Sequence, residues 1–130
     1  MLKNLAYKVM FIGWMVFVTL LSLFSFSGVE ASRFNIPHLD KAVHFTFYFV
    51  MVVLAFFAKT NGAWHGSTDL KILRYIVLFA IGYGIIIEIL QHVATMDRQG
   101  DPFDVLANSI GAFTGMMLLR FLFLIKQSLK

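Results

Sequence analysis

The sequence has 130 residues, of which 59% are hydrophobic and only 14% are charged. A water-soluble chain of this length could not bury so much apolar surface, so we predict a small integral membrane protein. The formal net charge is +4, but the basic residues are spread over the connecting segments and the chain ends. This spread argues against a nucleic-acid-binding face. The absence of cysteine excludes disulfides, thiolate metal sites and a cysteine nucleophile.

Four apolar segments are long enough to cross a membrane, for which a helix needs about 20 residues. They lie at about residues 9–26, 42–58, 72–93 and 105–125. No linker is long enough to separate domains. We therefore predict an all-α fold, an integral membrane four-helix bundle that forms a single domain over residues 1–130.

The first segment also resembles a signal peptide, because Lys3 and Lys8 precede its apolar run. The run exceeds the ~7–15 residues of a signal-peptide core. We therefore predict that the segment is retained as a helix, with cleavage after Ala31 as the alternative.

The basic residues are distributed unequally between the two sides of this bundle. One side, which includes both termini and the second connection, has Lys3, Lys8, Lys59, Lys71, Arg74, Arg120, Lys126 and Lys130. The other side has Arg33, Lys41 and Arg98. Because basic residues accumulate on the cytoplasmic side, we predict that the N-terminus and the C-terminus are both cytoplasmic.

The second predicted helix begins with polar residues. Asp40 suits an N-cap, and Lys41, His44 and Tyr48 share one helical face at spacings of three and four. A helix entry at the membrane interface explains Asp40 and Lys41. It does not explain His44, which would lie one turn inside the lipid.

The third predicted helix has a polar stripe of Glu88, Gln91 and His92. Glu88 lies about 7 Å inward of Val93 along the helix axis. Polar groups at such a depth need a partner or a function. The stripe indicates either a buried carboxylate that ties two helices together or a functional site.

The fourth predicted helix follows a Gly100–Pro102 turn in which Asp101 suits the N-cap. Polar and then small residues follow at spacings of four, three and four: Asp104, Asn108, Gly111 and Gly115. Glycines four residues apart allow a neighbouring helix to approach closely. We predict that Gly111 and Gly115 are helix-packing residues.

These segments would gather acids, imidazoles, an amide and the Arg98 cation near one membrane surface. Such a set suits acid–base chemistry, with His44, Glu88 and Asp104 as the candidate catalytic residues, or an anionic head group. The Glu88-x-x-x-His92 spacing alone is a weak metal signal, so we predict no metal site. We also predict no cofactor.

In this order, the motifs resemble those of the VanZ-like membrane proteins, a bacterial family named for a teicoplanin-resistance protein. The matching features are Asp40-Lys41-x-x-His44-Phe45, Glu88-x-x-Gln91, Arg98, Asp101, Asp104, Asn108 and Gly111-x-x-x-Gly115, with Trp14, Ser22, Ser25 and Ser27 in the first segment. The resemblance covers nearly the whole chain. It implies a multi-pass protein of the bacterial cytoplasmic (inner) membrane.

The resemblance also implies that certain polar positions are shared with the family, and we predict that the residues at these positions bind a ligand. These positions are Lys41, His44, Glu88, Gln91, Arg98, Asp104 and Asn108. The expected partners are membrane lipids and a lipid-linked or peptidoglycan-related molecule, with an effect on glycopeptide susceptibility as one consequence. Two alternatives stay open at this point: an intramembrane acid–base hydrolase or transferase, and an assembly subunit whose polar cluster is structural. The sequence leaves the oligomeric state open.

Overall fold

The structure, a computed structural model, describes residues 2–23, 39–62, 67–94 and 101–129. It has four helices over this part of the chain: α1 (Leu2–Leu23), α2 (Leu39–Thr60), α3 (Ser67–Ala94) and α4 (Pro102–Ser128). Each helix is long and apolar enough to cross a membrane. The prediction of an all-α, four-helix membrane protein is therefore confirmed.

The helices begin earlier than the predicted spans. The predicted spans follow the apolar runs, whereas a helix continues into polar flanks as long as its backbone hydrogen bonds are made. Thus α1 includes Lys3 and Lys8, and α2 includes Asp40 in its first turn rather than as the residue before it. Residues 24–26, the end of the first predicted span, lie outside the described residues.

Side-chain contacts show the relative directions of the helices. Tyr7 near the start of α1 stacks on Phe57 near the end of α2, so these helices are antiparallel. By the same logic α2 and α4 are parallel, because His44 near the start of α2 contacts Asn108 near the start of α4. The helix α2 contacts all three other helices. The starts of α2 and α4 therefore lie at the same end of the bundle as the ends of α1 and α3.

The buried core lies along α2. Tyr48, Met51, Val52 and Phe56 are almost fully buried there. Many apolar side chains on the outer faces of the helices are exposed instead, as expected where lipid is the solvent. Because lipid is itself apolar, close packing and polar contacts must hold these helices together.

The closest helix contact is between α2 and α4. A Cβ atom at position 111 would overlap the backbone carbonyl of Phe45, and one at position 115 would lie 3.0 Å from the carbonyl oxygen of Phe49. Gly111 and Gly115, both buried, therefore lie where the backbones of α2 and α4 approach each other. This approach brings the polar residues at the start of α4 against α2.

Polar contacts attach α1 to α2 and α3. The indole Nε1 of Trp14 donates a hydrogen bond of 2.9 Å to the backbone oxygen of Phe47 on α2. The hydroxyls of Thr19 and Tyr83 hydrogen-bond between α1 and α3. These bonds fix the position of α1 where apolar packing alone would specify it weakly.

Candidate ligand-binding site

Most of the polar residues that the sequence singled out meet at one end of the bundle. We call this set the polar cluster; it comprises Asp40, Lys41 and His44 of α2, Glu88 of α3, and Asp101, Asp104 and Asn108 at the start of α4. Among these residues there are four carboxylates and one ammonium group. The cluster is therefore rich in negative charge before any proton or ligand is counted.

Lys41 is the cation at the centre of the cluster. Its Nζ donates hydrogen bonds of 2.5 Å to Oδ2 of Asp101 and to Oδ1 of Asp104, and it lies 3.7 Å from Oδ2 of Asp40. Charge-assisted hydrogen bonds of this kind are stronger than neutral ones. Lys41 therefore joins the start of α2 to the start of α4.

Asp101 has two further roles at the start of α4. Its Oδ1 accepts a 2.9 Å hydrogen bond from the backbone N–H of Phe103, which makes it the helix N-cap as predicted. Its own backbone N–H donates to Oε2 of Glu88 at 3.3 Å. The Lys41 ammonium, and after it the Phe103 N–H, lowers the pKa of the Asp101 carboxyl from its ordinary value.

The imidazole of His44 is buried, and its two nitrogens have different neighbours. Nδ1 lies 3.0 Å from Oδ1 of Asn108. An amide oxygen can only accept, so Nδ1 carries the hydrogen. Nε2 lies 3.8 Å from Oδ1 of Asp40 and 3.7 Å from Oδ2 of Asp104. Asn108 thereby orients the ring so that Nε2 lies beside two carboxylates.

Three buried polar atoms lie next to this group. They are Oε1 of Glu88, Nδ2 of Asn108 and the hydroxyl of Tyr48, and none has a hydrogen-bond partner within the described ranges. Oε1 of Glu88 lies 3.8 Å from Nδ1 of His44. Buried polar groups without partners cost free energy, and they often mark functional positions.

Gly84 allows this part of the cluster to form. A Cβ at position 84 would lie 3.1 Å from the Tyr48 ring and 3.2 Å from Nδ2 of Asn108. These separations are tight, so an alanine at this position would require the side chain of Tyr48 or Asn108 to shift by a few tenths of an ångström. Gly84 precedes Glu88 by one helical turn and is on the same face of α3.

An open groove of about 410 Å³ lies beside the cluster, between α3 and α4. Its walls are mainly apolar and include the polar residues Glu88, His92 and Asp101; the other lining residues are Ile85, Ile89, Pro102 and Val105. The α3 members span about 10 Å along the helix axis. The groove therefore combines an apolar channel with three polar groups in its wall.

The remaining predicted site residues have different surroundings. Gln91 is buried, and its amide nitrogen donates a 2.8 Å hydrogen bond to the backbone oxygen of Ser22, so it connects α3 to α1. His92 is exposed and lines the groove. Arg98, the predicted anion-binding cation, lies outside the described residues.

The contribution of three residues to the polar cluster was not predicted from the sequence. Asp40 and Asp101 were interpreted as helix caps and as positions that match the family motifs, but not as ligand-binding residues, yet both lie close to Lys41. Gly84 was not singled out at all. Gly84 could have been found from its position one turn before Glu88, on the predicted polar face of the third helix.

These features define a multi-pass membrane protein with a polar cluster at one end of a four-helix bundle. The family model described as VanZ/LLP1 matches residues 3–124, nearly the whole chain. The chain belongs to the VanZ/LLP1 family, as its motifs indicated. Comparisons with curated proteins and with solved structures give no match.

Proposed function

We propose that this VanZ-like protein binds the head group of a cell-envelope lipid, or of a peptidoglycan-linked amphiphile, beside the polar cluster. The groove between α3 and α4 is the observation that carries the proposal. Ile85, Ile89 and Val105 would contact an acyl or polyprenyl chain, while Glu88 and His92 would contact its head group. A groove with this distribution of polarity suits an amphiphile.

The distribution of basic residues predicts that this end of the bundle faces away from the cytoplasm. A ligand at that surface would be a component of the outer leaflet or a molecule linked to it. An effect on glycopeptide susceptibility would then follow from an altered cell surface.

Part of the polar cluster also has a structural role. Lys41 is held by Asp101 and Asp104 within the protein, so these groups join α2 to α4 without any ligand. A purely structural cluster does not account for the buried Oε1 of Glu88, which has no hydrogen-bond partner in the described segments. Nor does it account for the groove that Glu88 lines.

The proposal can be tested by filling the groove. In the Ile85→Trp variant the indole would occupy the channel, whereas the control Ile86→Trp places the same ring on an exposed position of α3 outside the groove. Native mass spectrometry of the purified protein would measure the binding of phosphatidylglycerol, phosphatidylethanolamine and a polyprenyl-diphosphate-linked muropeptide. We expect one of these amphiphiles to bind, with at least a tenfold weaker apparent affinity for Ile85→Trp only. Equal binding by both variants, or no binding above background, would contradict the proposal.

A second candidate is acid–base catalysis on the same ligand. Oε1 of Glu88 lies 3.8 Å from Nδ1 of His44, and Oδ2 of Asp104 lies 3.7 Å from Nε2 of the same ring. The three candidate catalytic residues are therefore close together. The Glu88→Gln variant keeps the shape of the side chain and removes its acid. If the bound amphiphile is converted by the wild type, Glu88→Gln should abolish turnover. A ligand that is recovered unchanged from the wild type supports binding alone.

A further inference from the structure

His44 and the two carboxylates beside its Nε2 form a group of three polar side chains that does not line the groove. Oδ1 of Asp40 and Oδ2 of Asp104 lie 3.8 and 3.7 Å from Nε2. One atom from each of the three residues can be chosen so that all lie within 4.8 Å of one another. Each side chain thus contributes one potential ligand atom to the same small space.

The other atoms of these side chains are directed elsewhere. Lys41 is 3.7 Å from Oδ2 of Asp40 and 2.5 Å from Oδ1 of Asp104, so it contacts one oxygen of each carboxylate. The other oxygen of each carboxylate faces Nε2. Lys41 therefore leaves one acceptor on each aspartate available, and it fixes the buried Asp104 in place.

Asn108 determines which nitrogen of His44 is available. The ring is only 6% exposed, and Nδ1 is committed to Oδ1 of Asn108 as a donor. In the neutral ring, Nε2 then has a lone pair directed toward two carboxylates. Lys41 contacts the other oxygen of each carboxylate, so the repulsion among these three electron-pair donors would be relieved further by a cation between them.

We propose that Asp40, His44 and Asp104 bind a divalent transition-metal ion, of which zinc is the best match. Imidazole and carboxylate together suit zinc, and a three-residue set leaves a coordination position open. In a tetrahedral zinc site the ligand atoms are roughly 3.3 Å apart, given metal–ligand bonds of ~2.0–2.1 Å. The distances of 3.8 and 3.7 Å from Nε2 to Asp40 and Asp104 need to close by only a few tenths of an ångström, and the ligand atoms of the three residues all lie within 4.8 Å of one another. Asn108 takes the role of the outer group that orients a metal-bound histidine.

The site is independent of the groove, since none of its three ligands lines it. It also gives the excess of carboxylates a function. A bound divalent ion would offset two of the four negative charges of the polar cluster. Its open position would allow an anionic group to bind at a surface that is otherwise acidic.

The test uses the purified full chain after removal of any affinity tag and of bound metal by a chelator. Titration with Zn²⁺ alone, monitored by calorimetry, should give about one equivalent, and Co²⁺ should give the visible absorption of a four- or five-coordinate site. Mg²⁺, which prefers six oxygen ligands, should not compete. The His44→Ala variant should lower the zinc affinity at least tenfold, and the control His92→Ala should not.

The Asp40→Asn variant keeps the test decisive if His44→Ala does not fold. The side chain of Asp40 is 61% exposed, so its replacement leaves the packing of α2 intact. We expect an unchanged elution profile and helix content, with a loss of zinc affinity of at least tenfold. The proposal is overturned if the wild type binds no zinc. It is equally overturned if the folded Asp40→Asn protein binds zinc as tightly as the wild type.

Discussion

At the scale of single residues, Asp101 takes part in three interactions at once. Its carboxylate pairs with Lys41 and caps α4, and its backbone N–H donates to Glu88. Each of these contacts connects α4 to a different part of the molecule or to its own first turn. Asp101 is therefore a residue at which local helix capping and long-range assembly are coupled.

The pairing of Asp101 predicts a pH dependence of stability. Its pKa is lowered in the folded protein, chiefly by Lys41. The stabilisation is therefore present above the unfolded-state pKa of ~4 and is lost as the pH falls through the folded-state value. We expect Asp101→Asn to lower the thermal midpoint near pH 7, and the difference from wild type to shrink toward pH 3. Thermal midpoints of both proteins, measured in detergent from pH 7 to pH 3, would test this prediction. A difference in midpoint that does not change with pH would contradict it.

Part of the polar cluster could be predicted from local spacing. Lys41 and His44 share a helical face, and so do Asp104 and Asn108, because their spacing matches the helical repeat. Their pairing could not be predicted, since Lys41 is 60 residues from Asp101 and 63 from Asp104 along the chain. Helix directions and rotations decide such contacts, and one sequence does not specify them.

At the scale of helices, Gly111 sets the distance between α2 and α4. The neighbour of a Cβ at this position is the Phe45 backbone, which cannot rotate away as a side chain can. The two helices can stay this close only if position 111 has no side chain. The polar cluster, which needs α2 and α4 together, depends on that residue.

Replacing this glycine should therefore separate the helices. We expect Gly111→Ala to lower the free energy of unfolding by about 1–3 kcal/mol, the usual effect of overpacking. Gly82→Ala is a matched control, because a Cβ there meets nothing within 4 Å. The control should be neutral or slightly stabilising, since alanine favours helix over glycine by roughly 0.5–1 kcal/mol. Chemical unfolding in mild detergent would measure both, and equal effects would show that the α2–α4 contact is loose.

The spans themselves were the easiest feature to predict. Long apolar runs have few alternatives to a membrane helix, so their number and approximate positions followed directly from the sequence. Their ends did not, because apolar length says nothing about how far a helix continues into its polar flanks. The seven residues by which α1 begins before the predicted position 9 illustrate this difference.

At the scale of the whole molecule, the orientation in the membrane is a prediction from charge alone. The chain lacks cysteine, so single cysteines can report on it without background. Phe103 and Gln127 lie near opposite ends of α4, and both are exposed. A membrane-impermeant maleimide applied to intact spheroplasts should label the Phe103→Cys variant. It should label Gln127→Cys only after permeabilisation, and the reverse pattern would place both termini outside.

The pairing of α2 with α4 has a consequence for synthesis. A ribosome adding ~5–20 residues per second needs about 3–12 s to progress from Lys41 to Asp101, the first of its helix partners to be made. During that interval α2 can enter the membrane while Lys41 and His44 await the residues that will surround them. A nascent chain released before α4 would have three membrane helices and no polar cluster. The candidate site can therefore form only after the start of α4 has been synthesised.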